Sequence, residues 1–177
     1  TEEEATGFAT LGIVQENASR YQQALESFRN SLRLKEGLND VLGVGEQHRR
    51  IGRIYYLRLN NYYEAERHFA RALEIFDRLR EKRLVVQLLL ELGFVREKLG
   101  DFSGASEYYQ KARTQASETG DALGLAQAAN AIGNVAWFKG DYREAFSEQR
   151  DSLKLAEELG DKRQEIFAHN SLGLIYW

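Results

Sequence analysis

The chain contains no cysteine, no proline and no methionine among its 177 residues. Without thiols, no disulfide framework and no thiolate metal site can form. Without proline, nothing forces a helix to kink or stop, so long unbroken helices are favoured. Long apolar runs are missing too. The stretch LVVQLLL at 84–90 is broken by Gln87, and nothing approaches the ~20 apolar residues of a membrane span. No charged start followed by an apolar stretch reads as a signal peptide. Histidine is scarce, with His48, His68 and His169 alone, and no His-x-x-x-His pair exists. The sequence therefore predicts neither a metal site nor a cofactor.

What is present is a folding composition. Nine Tyr, nine Phe and two Trp argue against disorder. The net charge of −3 is uneven: 1–44 carry −3, 45–83 carry +4 and 84–177 carry −4. One basic segment between acidic ones lacks the broad positive field of a nucleic-acid binder, so no nucleic-acid partner and no membrane partner are expected. The chain starts Thr-Glu-Glu-Glu and stops on Leu-Gly-Leu-Ile-Tyr-Trp, which we read as the ends of a fragment from a longer protein.

Internal repetition organises the rest. Gly12, Gly52, Gly93, Gly133 and Gly173 lie 40, 41, 40 and 40 residues apart, each after a Leu or Ile. In step run Tyr21, Tyr62, Phe102 and Tyr142, then Ala24, Ala65, Ala105 and Ala145, then Phe28, Phe69 and Tyr109, where the fourth copy departs with Gln149. Gly-Asp recurs at half the period, at 100–101, 120–121, 140–141 and 160–161. Glycine past a helix end tolerates the left-handed conformation, and aspartate next to it caps the following helix. Asp141 with Glu144 and Asp161 with Gln164 have capping-box spacing. Each unit therefore reads as two antiparallel helices, with the second copy spending one extra residue at Asn60-Asn61.

The spacing predicts helices over 4–18, 21–37, 41–58, 62–79, 83–99, 102–118, 122–139, 142–158 and 162–177. The fold class expected is all-α, about 4.5 stacked hairpins in a single domain over 1–177, with repeats at 1–40, 41–81, 82–121, 122–161 and a partial 162–177. The marker glycines let two backbones approach, the aromatic of the second helix fills the space beside them, and the turn aromatic covers the hairpin end. One hairpin cannot bury its apolar face alone, so neighbours must stack. At the last hairpin Phe167, Leu172, Ile175, Tyr176 and Trp177 would be left partly uncovered.

The copies LELGFVREKLGDFSGASEYYQKA and ANAIGNVAWFKGDYREAFSEQRDSL resemble the tetratricopeptide repeat, with its Leu-Gly in helix A and its Ala-then-aromatic in helix B. The 40-residue period resembles the variant in kinesin light chains, Pins/LGN polarity adaptors and bacterial peptide-sensing regulators. Departures are the missing proline after helix B, the polar Gln149, and Gln15, Arg96 and Ala136 where Tyr is frequent. The resemblance implies a right-handed α-solenoid whose A helices line a concave, peptide-binding face. It also implies groove positions three before each marker glycine, one after it and one turn further on. These are Arg49, Arg53 and Tyr56; Leu90, Phe94 and Glu97; Asn130, Asn134 and Trp137; Asn170, Leu174 and Trp177; and Ala9, Ile13 and Glu16 in the first copy.

The chemistry of that set suits a peptide. Amides of Asn130, Asn134 and Asn170 can donate to and accept from an extended backbone. Arg49 and Arg53 lie one turn apart and could hold a carboxylate. Phe94 and Trp137 are aromatic anchors. A second reading stays open, in which the arginines and asparagines are solvated or bond neighbouring helices.

Catalytic patterns are absent. Gly37 to Gly45 is glycine-rich but lacks the Lys-Ser/Thr of a phosphate loop, and reads as a turn and a loosened helix start. No Gly-x-Ser-x-Gly occurs. His48 and His169 share a repeat position three copies apart and cannot share a metal; the three histidines read as partly buried structural residues. The function expected is a non-enzymatic, cytoplasmic scaffold for a protein or peptide ligand. The alternatives are a ligand- or peptide-sensing module of a larger signalling or transcription protein, and a self-association module giving a homodimer through the C-terminal end.

Overall fold

Most helix starts in the chain have a side chain waiting for their free amides. The computed structural model describes residues 1–175. They form nine α-helices and no strand: α1 (Glu2–Asn17), α2 (Tyr21–Gly37), α3 (Val41–Leu57), α4 (Tyr62–Arg78), α5 (Lys82–Lys98), α6 (Phe102–Thr119), α7 (Ala122–Lys139), α8 (Tyr142–Leu159) and α9 (Lys162–Ile175). Asp40, Asn61, Asp101, Asp121 and Asp141 each accept the third amide of the helix they open, at 2.8–3.2 Å. Thr1 and Glu4 form a reciprocal capping box on α1. That pair is as legible in the sequence as those at 141–144 and 161–164.

The helix ends close as the half-period glycines suggest. Gly100, Gly120, Gly140 and Gly160 have φ of 79°, 65°, 83° and 65°. The aspartate amide after each reaches back to a carbonyl five residues earlier, as in Asp101 N–H to Arg96 O at 2.9 Å. Earlier turns use the same left-handed geometry without glycine, at Ser19, Asn39, Asn60 and Arg80. The extra residue at Asn60-Asn61 lengthens its loop, so Asn61 N–H reaches Tyr55 O, six residues back. A left-handed L-residue costs roughly 1–2 kcal/mol. Ser19→Gly, at φ 59°, is therefore expected to raise stability by about 1 kcal/mol, read as a later unfolding midpoint in urea.

Residues 1–81 pack as one compact unit and residues 82 onward as another. In the first, α1 pairs with α2 and α3 with α4. Its core gathers Ala24, Leu25, Phe28, Ile51 and Ile54. In the second, α5 pairs with α6 and α7 with α8, and α9 packs on α8 and α7. Leu88, Leu92, Val95, Tyr109, Ala112, Ala128 and Ile132 are buried there.

Close approach at the marker glycines is direct. A Cβ on Gly12 would sit 2.5 Å from the Phe28 ring, and one on Gly52 2.7 Å from the Phe69 ring. On Gly93 it would run into the Tyr109 ring. In the fourth copy Gly133 faces Gln149, which is fully buried. Among the described residues, Gly173 alone of the five has nothing within 4 Å. Buried serines tie the B helices to their A helices: Ser31 Oγ donates to Ala5 O at 2.7 Å, and Ser152 Oγ, at the same repeat position, to Ala126 O at 2.9 Å.

Two expectations need correction. The glycines at 43 and 45 do not loosen the start of α3. Both are buried inside it, Gly45 because the Phe76 ring lies where its side chain would be. Tyr142 does not cover a hairpin end: it is 58% exposed, whereas Tyr21, Tyr62 and Phe102 are half-buried.

Candidate functional site

In the second unit, α7 packs against both α5 and α9, so three A helices present one face. That face contains a cavity of about 240 Å³. α5 contributes Glu97, α7 contributes Asn134, Trp137 and Phe138 beside Gly133, and α9 contributes Ser171, Leu174 and Ile175; Gln149 of α8 forms the floor. Trp137 and Phe138 meet edge to face at 5.1 Å, and Phe138 stacks on Phe102 at 5.3 Å. Two aromatic walls are thereby held in place by their neighbours.

The floor is polar and internally satisfied. Gln149 Nε2 donates to Asn130 O at 3.0 Å and to Asn134 Oδ1 at 2.9 Å, and Gln149 Oε1 accepts from Asn130 Nδ2 at 2.9 Å. Asn134 Nδ2 donates to Asn130 Oδ1 at 3.2 Å, and Ser171 Oγ donates to Asn134 Oδ1 at 3.2 Å. The third copy solves the same problem with apolar groups. There Leu90 and Phe94 hold the positions of Asn130 and Asn134, and Tyr109 holds that of Gln149. Phe94 meets Tyr109 edge to face at 5.5 Å, and the Tyr109 hydroxyl donates to Glu97 Oε2 at 3.0 Å. A buried amide needs partners, so Gln149 and the two asparagines come as a set.

The residues expected to line a groove divide accordingly. Trp137, Asn134 and Leu174 meet at the cavity. Leu174 is exposed, as is Asn170 on the same helix. Asn130 is half-buried and bonded to Gln149, and Leu90 is buried at 3% exposure. Phe94 is half-buried against Tyr109. Arg49, Arg53 and Tyr56 lie on α3 of the first unit, where Tyr56 packs 6.0 Å from Tyr62, and none of the three is free of intramolecular interactions. Ala9, Ile13 and Glu16 are half-buried on α1. Trp177 and Tyr176 lie outside the described residues. Phe138, Ser171 and Gln149 were not anticipated as cavity residues. Only Gln149 carried a signal, as the break in the aromatic series.

The histidines hold one arrangement that spacing did not reveal. His48 Nδ1 and His68 Nδ1 lie 2.9 Å apart, linking α3 to α4, and Tyr55 stacks on His68 at 5.8 Å. One ring donates and the other accepts, so at least the accepting ring is neutral. Burial, then the charge of Arg71 and Arg67, lowers the pKa of His48. Burial, then His48 and Arg67, pushes that of His68 down to about 4. His169 is exposed. A folded pKa below the unfolded ~6.5 means the folded state binds fewer protons, so stability present above pH 6.5 is lost as pH falls towards 4. His68→Gln is expected to flatten this slope, by at most about 1.4 kcal/mol per pH unit, in urea titrations at pH 7 and pH 5. An unchanged slope would mean the pair carries no such linkage.

The tetratricopeptide repeat model matches residues 47–118 and again 84–158, well over half of the chain together. Response regulator aspartate phosphatase I of Bacillus subtilis (strain 168) is 33% identical over 101 residues, 57% of this chain and 25% of that protein. The crystal structure of aspartyl phosphate phosphatase F from Bacillus subtilis superposes with a TM-score of 0.90 at 17% identity, over 98% of this chain and 45% of that one. A Rap protein complexed with Competence and Sporulation Factor superposes with a TM-score of 0.80 at 20% identity, over 98% of this chain and 48% of that one. The chain thus spans a quarter of its curated relative and under half of these two structures. At such identities the structural likeness is one of fold, an all-α solenoid of stacked helix hairpins. Period, glycine-aromatic pairing and sequence match agree, and the chain belongs to the tetratricopeptide repeat family.

Proposed function

We propose that the chain is a protein- or peptide-binding scaffold, and that the A-helix face of its second unit is a docking surface. The observation that carries this is the cavity between α5, α7 and α9, with Trp137 and Phe138 as fixed aromatic walls and Leu174 exposed beside them. Buried aromatic anchors beside a few oriented polar groups are where binding energy concentrates. A solved relative in complex with a factor, of like fold, adds support. On this reading the chain binds and does not catalyse. The phosphatase name belongs to a relative of which this chain spans a quarter. Among the described residues no helix is long and apolar enough to cross a membrane, and we place the scaffold in the cytoplasm.

Selection of random heptapeptides on the protein tests the reading. Trp137→Ala is expected to weaken the selected peptides at least tenfold, about 1.4 kcal/mol, and Asn170→Ala to weaken a subset, by titration calorimetry. Selected peptides indifferent to Trp137, Leu174 and Asn170 would move the site elsewhere. Arg49, Arg53 and Tyr56 are proposed as a separate contact surface of the first unit.

A second reading has its own observation. Among the described residues no ring or amide covers Gly173 as one covers its four counterparts, and Ile166, Phe167 and Leu174 of the same helix are 60%, 45% and 62% exposed. Self-association through α9 would cover them. Sedimentation velocity across concentration tests it, a concentration-independent monomer ending that reading.

A further inference from the structure

Among the described residues, the cavity on the second unit is lined by one titratable group. Among the described residues that line it, only Glu97 bears an ionisable side chain; the rest are amide, hydroxyl, glycine or apolar. The amide and hydroxyl groups are already engaged. Asn134 Oδ1 receives both Gln149 and Ser171, and Asn134 Nδ2 goes to Asn130. Glu97 differs. Its Oε2 accepts from the buried Tyr109 hydroxyl, which fixes the carboxylate, while among the described residues it forms no ion pair. The neighbouring Arg96 turns to Asp101 at 3.2 Å, and Arg113 pairs with Glu148.

We propose that this cavity is a subsite for a single arginine or lysine side chain of a bound peptide, with Glu97 as its counter-ion. The inference rests on the docking surface proposed above and specifies its ligand. The volume, about 240 Å³, is below that of a typical small-molecule pocket and suits one long side chain. Leu174 and Phe138 supply apolar surface for a methylene stem. Trp137 lines the same cavity, and an indole ring attracts a cation over its face. A purely apolar guest would desolvate Glu97 without compensation, and an acidic one would be repelled.

Three blocked dipeptides probe this: acetyl-Leu-Arg-amide, its citrulline analogue, which keeps the shape without the charge, and acetyl-Leu-Glu-amide. The readout is the indole N–H resonance of Trp137 in the ¹⁵N-labelled protein. The arginine probe is expected to bind at least fivefold more tightly than the citrulline probe, and the glutamate probe to leave the resonance unmoved. In Glu97→Gln, which can still accept from Tyr109, the arginine advantage should vanish. Equal binding of the arginine and citrulline probes by the unaltered protein overturns the charge assignment and leaves the docking surface standing. An arginine advantage that survives in Glu97→Gln also overturns it. If no probe shifts Trp137 at any concentration, both the subsite and the docking surface at this place fall.

Discussion

Gly93→Leu is expected to destabilise the second unit by more than about 3 kcal/mol, while the same change at Gly173 does no harm. The two glycines occupy one repeat position, so the contrast isolates packing from propensity. At Gly93 the Tyr109 ring lies where a Cβ would be, and Tyr109 is fully buried with its hydroxyl bonded to Glu97. Leucine must push that ring out, which also breaks the hydrogen bond and the contact with Phe94. At Gly173 no described residue lies within 4 Å of where a Cβ would be, and leucine is the better helix former by up to about 1 kcal/mol. Urea unfolding followed by circular dichroism measures both. A Gly93→Leu protein as stable as the parent would contradict the account of how A and B helices approach.

Gln149→Leu should cost roughly 2–4 kcal/mol, although leucine is of similar size and more apolar. The loss is of partners rather than of volume. Asn130 O, Asn130 Nδ2 and Asn134 Oδ1 each lose a bond to Gln149, and an unsatisfied buried polar group costs about 1–3 kcal/mol. Partial access of the asparagines to water at the cavity keeps the total below the sum. Gln149→Tyr, the residue of the third copy, should be similarly harmful alone. Adding Asn130→Leu and Asn134→Phe restores the third copy's apolar partners, though Trp137 stands where Glu97 accepts from Tyr109, and is expected to recover part of the loss. Additive penalties in that triple variant would show that the three positions do not act as a unit.

The helix count, the turns and the glycine-aromatic pairing were legible because they are local or periodic. An aspartate after a left-handed residue can cap only the helix that follows it, and a period of 40 with Gly-to-aromatic spacing of 16–17 leaves one way to pair two helices. The structure places helix ends within two residues of the sequence reading, as at α1, which begins at Glu2. Repeat arithmetic puts Asn134, Trp137, Leu174 and Glu97 on A helices, and the four line one cavity.

What each side chain does at its position was not. Asn130 and Asn134 look alike as groove amides, yet their hydrogen bonds run to Gln149, 15 to 19 residues away on the next helix. His48 and His68 look unrelated until α3 and α4 bring their rings to 2.9 Å. Sequence alone determined the repeat, the element boundaries and which residues share a face, because helix periodicity and capping act over a few neighbours. Only tertiary packing decided which polar groups remain available, because a donor is engaged or free according to what the next helix places within about 3 Å of it.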